Sequence, residues 1–442
     1  MIVISEIIEN TESDAKIALE NNNVPLAIEI YKFLYEKSNF KNTYFLNRCG
    51  SLLRKDNRPL EFIKVCREYI KINELNDLYV KNTLCWCIYD EYIKKYDFND
   101  LENFNEFLKE ANYICQNTNQ LEGEDHFKNP YVFTVLKVIK VYTNKNNVNY
   151  NKILEWLYLL DPNKLSEKVF NFQDKDGKER EQASIKEFYY QNKIKALEKI
   201  NEFEKCIEVC EECFEKIKKF HYKNHIWIES RLLFCQCMVD SNKIEEYTKF
   251  AEINNIWHIY SKISNIYYRY NQVDKALIYA CKAILCSFEY EKMINLFLNM
   301  AQLFENKGQT LNAKKYFHAS AYYRKSHLWS IPEELEYAIK KYDLNIEEKV
   351  YRSELEEIAK KYVCINEPKK IKYTGKVIKI LPEGKSGFIK FDNIEQTIYF
   401  NFRDVKSNHN NNLINLGSYL EFQKGENNGK NKAIEISFVK GD

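Results

Sequence analysis

The sequence predicts a mainly α protein: a long array of short helices followed by a small β module at the C-terminus. Three observations predict it. Apolar residues recur at helical spacing through residues 1–365, the mark of amphipathic helices. Gly and Pro are scarce, 11 and 7 in 442 residues, which argues against a loop-rich all-β chain. From residue 371 the apolar period turns from helical to alternating, in short runs bounded by Gly, Asn or Pro. The predicted organisation is therefore a helical array over 1–365 (irregular at about 73–186), a linker over 366–370 and a β-barrel over 371–442.

The array is justified unit by unit. In NLFLNMAQLFENKGQTLNAKKYFHASAYY, Phe297, Met300, Ala301 and Phe304 form one helix face and Gly308 permits a turn. Ala313, Phe317 and Ser320 then form the facing surface of a second helix, small Ala313 allowing close approach. Tyr260, Ile263, Ser264, Tyr267, Asn271, Ala276, Ala280 and Ala283 repeat the scheme just before it. Leu46, Cys49, Gly50, Leu53, Asn57, Phe62, Cys66 and Tyr69 do so near the N-terminus. Weaker copies use Ala15, Ala18, Ala27, Tyr31 and Leu34, then Leu197, Asn201, Cys206, Cys210 and Cys213, then Phe234, Cys235, Met238, Asn242 and Tyr247. These units resemble tetratricopeptide repeats in degenerate form, a resemblance that implies stacked helix pairs with a groove for a protein partner.

Between residues 73 and 186 helical periodicity continues without repeats, and LEGEDHFKNP and NFQDKDGKEREQ are expected to be loops. The array is expected to close with a helix capped by Ser330, with Pro332 at its first position and Glu333 completing a capping box. Apolar spacing runs on to Tyr342, and a further helix-like run covers Glu347 to Tyr362. Asn366-Glu367-Pro368 then breaks the pattern.

In the C-terminal module, alternation puts Ile389 and Phe391 on one face of a strand and Phe388 and Lys390 on the other. Ile398 and Phe400 likewise suit a core, leaving Tyr399 and Asn401 outside, while Phe402 needs a bend or a strand end to join them. GKVIKILPEGKSGFI, IYFNF and LGSYLEFQKGENNGKNKAIEI together resemble a cold-shock domain. The resemblance implies a five-stranded oligonucleotide-binding (OB) barrel. It also implies that Phe388, Tyr399 and Phe402 stack unpaired bases and that Lys376 lies on a basic first-strand position. Lys379 stands where the family has tryptophan, Ser386 where it has phenylalanine and Asn401 where it has histidine. Lys379, Lys385 and Arg403 are expected to offset the lost rings through phosphate contacts. The competing expectation is that Phe388 and Phe402 are core residues of a barrel that serves only as a spacer.

Charge sharpens the functional expectation. The whole chain carries a formal +2, so affinity for nucleic acid has to come from local patches. Residues 371–442 hold eleven Lys and Arg against eight Asp and Glu. MIVISEIIENTESD lacks a signal peptide's basic and apolar regions, and no apolar run is long enough to span a bilayer, so a cytoplasmic, membrane-free location is expected. The 13 Cys, odd in number and on helical segments, are expected to be reduced thiols used as small apolar residues.

On the helix faces opposite the packing residues, polar side chains recur at steps of three and four. They are His258, Lys262, Asn265 and Arg269; Asn295, Asn299, Gln302 and Asn306; Asn192, Lys195 and Lys199; and Arg48 and Lys55. They are expected either to line a groove for an acidic peptide or an RNA strand, or to be a solvated face. Cys210-x-x-Cys213 before His221-x-x-x-His225 hints at zinc, yet Cys206, Cys210 and Cys213 share a packing face. Gly384-Lys385-Ser386 has the tail of a phosphate loop but lies between strands, and Asp174-x-Asp176-Gly177 fits a turn. No hydrolase, metalloprotease or dinucleotide motif occurs, so no catalysis and no cofactor are expected. The expected function is an adaptor that binds single-stranded RNA or DNA through the barrel and a protein through the array. Such a pairing also resembles bacterial multidomain proteins of stress or defence systems. Alternatives are an interaction scaffold whose barrel ignores nucleic acid, and a metal-dependent enzyme within the irregular helices.

Overall fold

The computed structural model describes residues 11–72, 77–144, 148–174, 176–287, 289–366, 372–383, 385–392, 396–405, 414–427 and 430–439. Among these are eighteen α-helices and a closed barrel of five strands near the C-terminus, as the periodicity predicts. The chain divides into two compact units, Met1–Ala276 and Leu277–Asp442, within the helix Val273–Leu285. The expected linker at 366–370 lies, from 367 on, outside the described residues.

Five helix pairs share one turn. Asn22, Asn57, Asn201, Asn271 and Gly308 all adopt left-handed backbone, with φ of 56°, 58°, 63°, 56° and 70°. After each, the next amide donates to a carbonyl five residues back: Asn23 to Ala18, Arg58 to Leu53, Glu202 to Leu197, Gln272 to Tyr267 and Gln309 to Phe304. That bond closes the helix C-terminus and satisfies a carbonyl it leaves open. Asn tolerates the left-handed region better than most residues, which is why it alternates here with Gly.

The faces flanking these turns are buried as their spacing requires. Phe297, Met300, Ala301, Phe304, Ala313, Phe317 and Ser320 are all buried, as are Tyr260, Ile263, Ser264 and Tyr267, and Leu46, Cys49, Leu53, Phe62 and Cys66. At Gly50 a Cβ atom would fall 2.4 Å from the Phe62 ring, so only glycine lets these two helices meet. Tyr69's side chain lies outside the described set. Ten of the thirteen cysteines are buried free thiols, and burial pushes Cys85 and Cys87 up to about 12.

Four local expectations are corrected. NFQDKDGKEREQ is not a plain loop: it contains a hairpin of β1 (Phe170–Gln173) and β2 (Glu179–Gln182). Its turn formers close that hairpin, since Asp174 accepts from the amides of Asp176 and Lys178 and pairs with Arg180 at 2.8 Å. LEGEDHFKNP contains the short 3₁₀ helix Gly123–Lys128. Ser330 does not cap the helix after it. Glu333–Tyr342 begins behind Pro332 without a side-chain cap, and the Ser330 carbonyl accepts from Arg324. The run expected from Glu347 becomes helical at Arg352. Among the described residues no helix is long and apolar enough to cross a membrane.

The barrel consists of β3 (Lys372–Ile380), β4 (Ser386–Phe391), β5 (Thr397–Asn401), β6 (Tyr419–Asn427) and β7 (Lys430–Phe438). They close in the order β3-β4-β5-β7-β6. β7 inserts between β5 and β6, parallel to the former and antiparallel to the latter. Val377, Ile389, Phe391, Ile398, Phe400, Leu420, Phe422, Ala433 and Ile436 fill the interior. Strand backbones come close at two glycines: a Cβ on Gly375 would lie 2.2 Å from the Lys390 carbonyl oxygen, and one on Gly387 2.3 Å from that of Lys379.

Candidate functional site

Strand register assembles two rows on the barrel's outer face. In the first, Lys379 on β3 stands opposite Phe388 on β4, Phe388 opposite Tyr399 on β5, and Tyr399 opposite Lys432 on β7. In the second, Tyr419 on β6 faces Lys376, which faces Lys390, which faces Thr397. Residues two apart on one strand share a face about 7 Å from each other, so the rows are neighbours. Lys379 reaches this face through a bulge. Val377 pairs with Ile389 and Lys379 with Phe388, leaving Ile378 as the extra residue. Strict alternation from buried Val377 would have turned Lys379 inward; instead both Ile378 and Lys379 are exposed and Ile380 packs against the core.

Phe388 and Tyr399 are half-buried and meet edge to face, ring centroids 5.8 Å apart. Lys376, Lys379, Lys385, Lys390 and Arg403 are exposed around them. Lys432 is committed to Asp404 at 2.7 Å. Phe402, expected as a third stacking ring, is half-buried like the other two: β5 ends at Asn401, and Phe402 opens a 3₁₀ turn with its ring 5.4 Å from Phe400, packed against the core. Asn401 is half-buried and holds that turn, its side-chain oxygen accepting from the Arg403 amide at 2.9 Å. Tyr419 was missed. It is 50% exposed, and the Tyr-Leu-Glu-Phe alternation around buried Leu420 and Phe422 would have placed it outside. A hydrogen bond to Asp392 raises its phenol above the usual range.

Several helix-face residues in each unit are held by neighbouring groups. Lys195, His258 and Lys262 come together in the first unit around Glu198 and Arg231, two residues that repeat spacing did not single out. Lys262 is no free groove lysine: it donates to Glu198 and is only 17% exposed. Burial, then Arg231 and Lys262, lower the His258 imidazole to about 4, so it is neutral near pH 7. Asn192 donates to the Phe188 carbonyl, Lys199 and Asn265 are exposed, and Arg269 lies 3.6 Å from the Met238 sulfur. Arg48 stands over the Tyr31 ring at 5.8 Å, and Lys55 is exposed.

In the second unit Asn295 accepts from Arg324 at 2.6 Å, Asn299 is half-buried and Asn306 is exposed. Gln302 lines a cavity of about 380 Å³ with Glu305, Phe317 and Tyr337. Cys206, Cys210 and Cys213 are buried on one helix face, and His221 lies 3.3 Å from Glu181. Among the described residues no cluster of three His, Cys, Asp or Glu is placed to hold a metal ion.

No protein-family model and no curated protein matches the chain. Among solved structures, it is similar to a tetratricopeptide repeat protein from Parabacteroides merdae ATCC 43184, at 11% identity over 74% of this chain and 95% of that one, with a TM-score of 0.29. At that level of similarity, the helix pairs and their shared turn define the array.

Proposed function

We propose that the chain is a non-catalytic adaptor whose barrel binds single-stranded nucleic acid and whose helical array recruits a protein partner. The observation that carries this is the cross-strand row Lys379–Phe388–Tyr399, with Lys376, Lys390 and Tyr419 in the row beside it. Rings on an open sheet face accept bases of any sequence, and lysines at their margins meet the phosphates. The Greek-key insertion of β7 between β5 and β6 supports an OB-like, cold-shock-like identity for the barrel. RNA is preferred over DNA on that resemblance alone, as is a bacterial stress or defence setting.

With Phe402 in the turn after β5 and packed against the core, the two β4–β5 rings and Tyr419 are the stacking positions on the strands. At roughly 1–3 kcal/mol for each base stacked, binding is modest and leans on charge. One observation favours the second reading, a protein-interaction scaffold: Phe388 and Tyr399 already cover part of each other. The two readings separate when a labelled single-stranded oligonucleotide is titrated with the intact chain. Saturable binding that Tyr419→Ala weakens and added salt loosens supports the adaptor. Absence of binding at low salt leaves the scaffold.

A further inference from the structure

Three helices of the first unit bring surplus positive charge to one part-buried spot. Lys262, on Trp257–Arg269, donates to Glu198 Oε1 at 2.5 Å, its ammonium 4.1 Å over the Phe234 ring. Arg231, on Asn224–Val239, stacks on Trp227 with its guanidinium carbon 3.4 Å from the ring centroid. Its Nε lies 3.3 Å from Glu198 Oε2, but out of line. Both atoms are buried and neither has a hydrogen-bond partner. Lys195 sits on the same helix as Glu198, Ile185–Lys199, within electrostatic reach of Arg231, Lys199 and Glu198. It forms no ion pair among the described residues.

Lys195, Arg231 and Lys262 thus share Glu198 and keep two positive charges in excess. Withdrawing cations from water without matching anions is costly, and an unsatisfied guanidinium N–H in such a place calls for an acceptor. A phosphate dianion carries both missing charges and several acceptor oxygens, and the planar arginine fork suits it. A carboxylate brings one charge where two are missing. We propose that Lys195, Arg231 and Lys262 form an oxyanion site for a phosphate dianion, free or as a monoester, with Glu198 the internal anion that competes for it. The site stands on the helical array alone, so its failure and that of the barrel's nucleic-acid reading are independent.

Several titratable groups face this cluster. They are Tyr150 near Glu198, Tyr247, Cys206 and Cys210 near Arg231, Cys235 near Lys262, His258 near both cations, and Lys199 beside Lys195. Burial holds Lys262 down at about 8 despite Glu198. It therefore carries its charge at pH 7 and has largely lost it at pH 9.

The test is calorimetric titration of the intact chain with inorganic phosphate in chloride buffer, with succinate as the dicarboxylate control. Saturable binding at one site is expected at pH 7, several-fold weaker at pH 9. Lys195→Ala, which breaks no hydrogen bond, should weaken binding about tenfold, some 1.4 kcal/mol, with an unchanged unfolding midpoint. Glu198→Gln should tighten it by removing the competing anion, whereas an ion cluster with a purely structural role would only lose stability. Competition by a nucleoside 5′-monophosphate in the same cell distinguishes an esterified phosphate from the free ion. The proposal is overturned by absence of saturable binding, by binding indifferent to both substitutions, or by succinate binding as tightly as phosphate.

Discussion

His258 shows how a single side chain senses its surroundings. Its folded pKa of about 4 lies below the ordinary 6.5, so as pH falls the unfolded chain takes up this proton first. The stability His258 contributes is therefore complete above about pH 6.5 and is lost progressively towards pH 4. The loss is on the order of 2 kcal/mol. The fall in urea midpoint from pH 7 to pH 5 should be smaller in His258→Gln than in the parent; an identical fall would show that the imidazole is solvated. The barrel glycines make an equally local claim. Gly387→Ala sets a methyl against the Lys379 carbonyl and the Phe400 ring, and a loss of about 1–3 kcal/mol in the barrel's unfolding transition is expected. Alternation alone made most of the barrel legible at this scale, with Ile389, Phe391, Ile398 and Phe400 inside. Phe402 was not legible, because its place depends on where β5 stops.

Elements are set by turns and register. The left-handed residue recurs at Asn22, Asn57, Asn201, Asn271 and Gly308, so these five helix pairs are closed by the same backbone bond. Asn57→Gly should leave thermal stability near that of the parent. Asn57→Val, β-branched at positive φ, should lower it by about 1–2 kcal/mol. Equal stability of the two variants would show that the turn relaxes freely. The helical period and these Asn and Gly positions made the array readable. Two things escaped. The β3 bulge is a one-residue insertion that no periodicity announces, and it alone puts Lys379 beside Phe388. The Glu198–Arg231–Lys262 meeting joins residues 33 and 31 positions apart on three helices, so it depends on how those helices pack.

For the molecule as a whole, charge is local where the sum is nearly neutral. A formal +2 over 442 residues gives no general attraction to nucleic acid, while Lys376, Lys379, Lys385, Lys390 and Arg403 gather on the described part of the barrel. If those five cations meet phosphates, affinity for a single strand should fall with salt with a log–log slope of at most about −3.5. A steeper slope would place further cations, such as those of the array, on the nucleic-acid path. The central claim is that the outer face of β3, β4 and β5 holds unpaired bases. It is tested most directly by fluorescence anisotropy of a labelled single-stranded RNA titrated with the intact chain and with its Phe388→Ala, Tyr399→Ala double variant. The predicted result is saturable binding weakened at least about tenfold by the double substitution, with the fold retained. Equal affinity of the two proteins, or no binding by the parent at low salt, would contradict it.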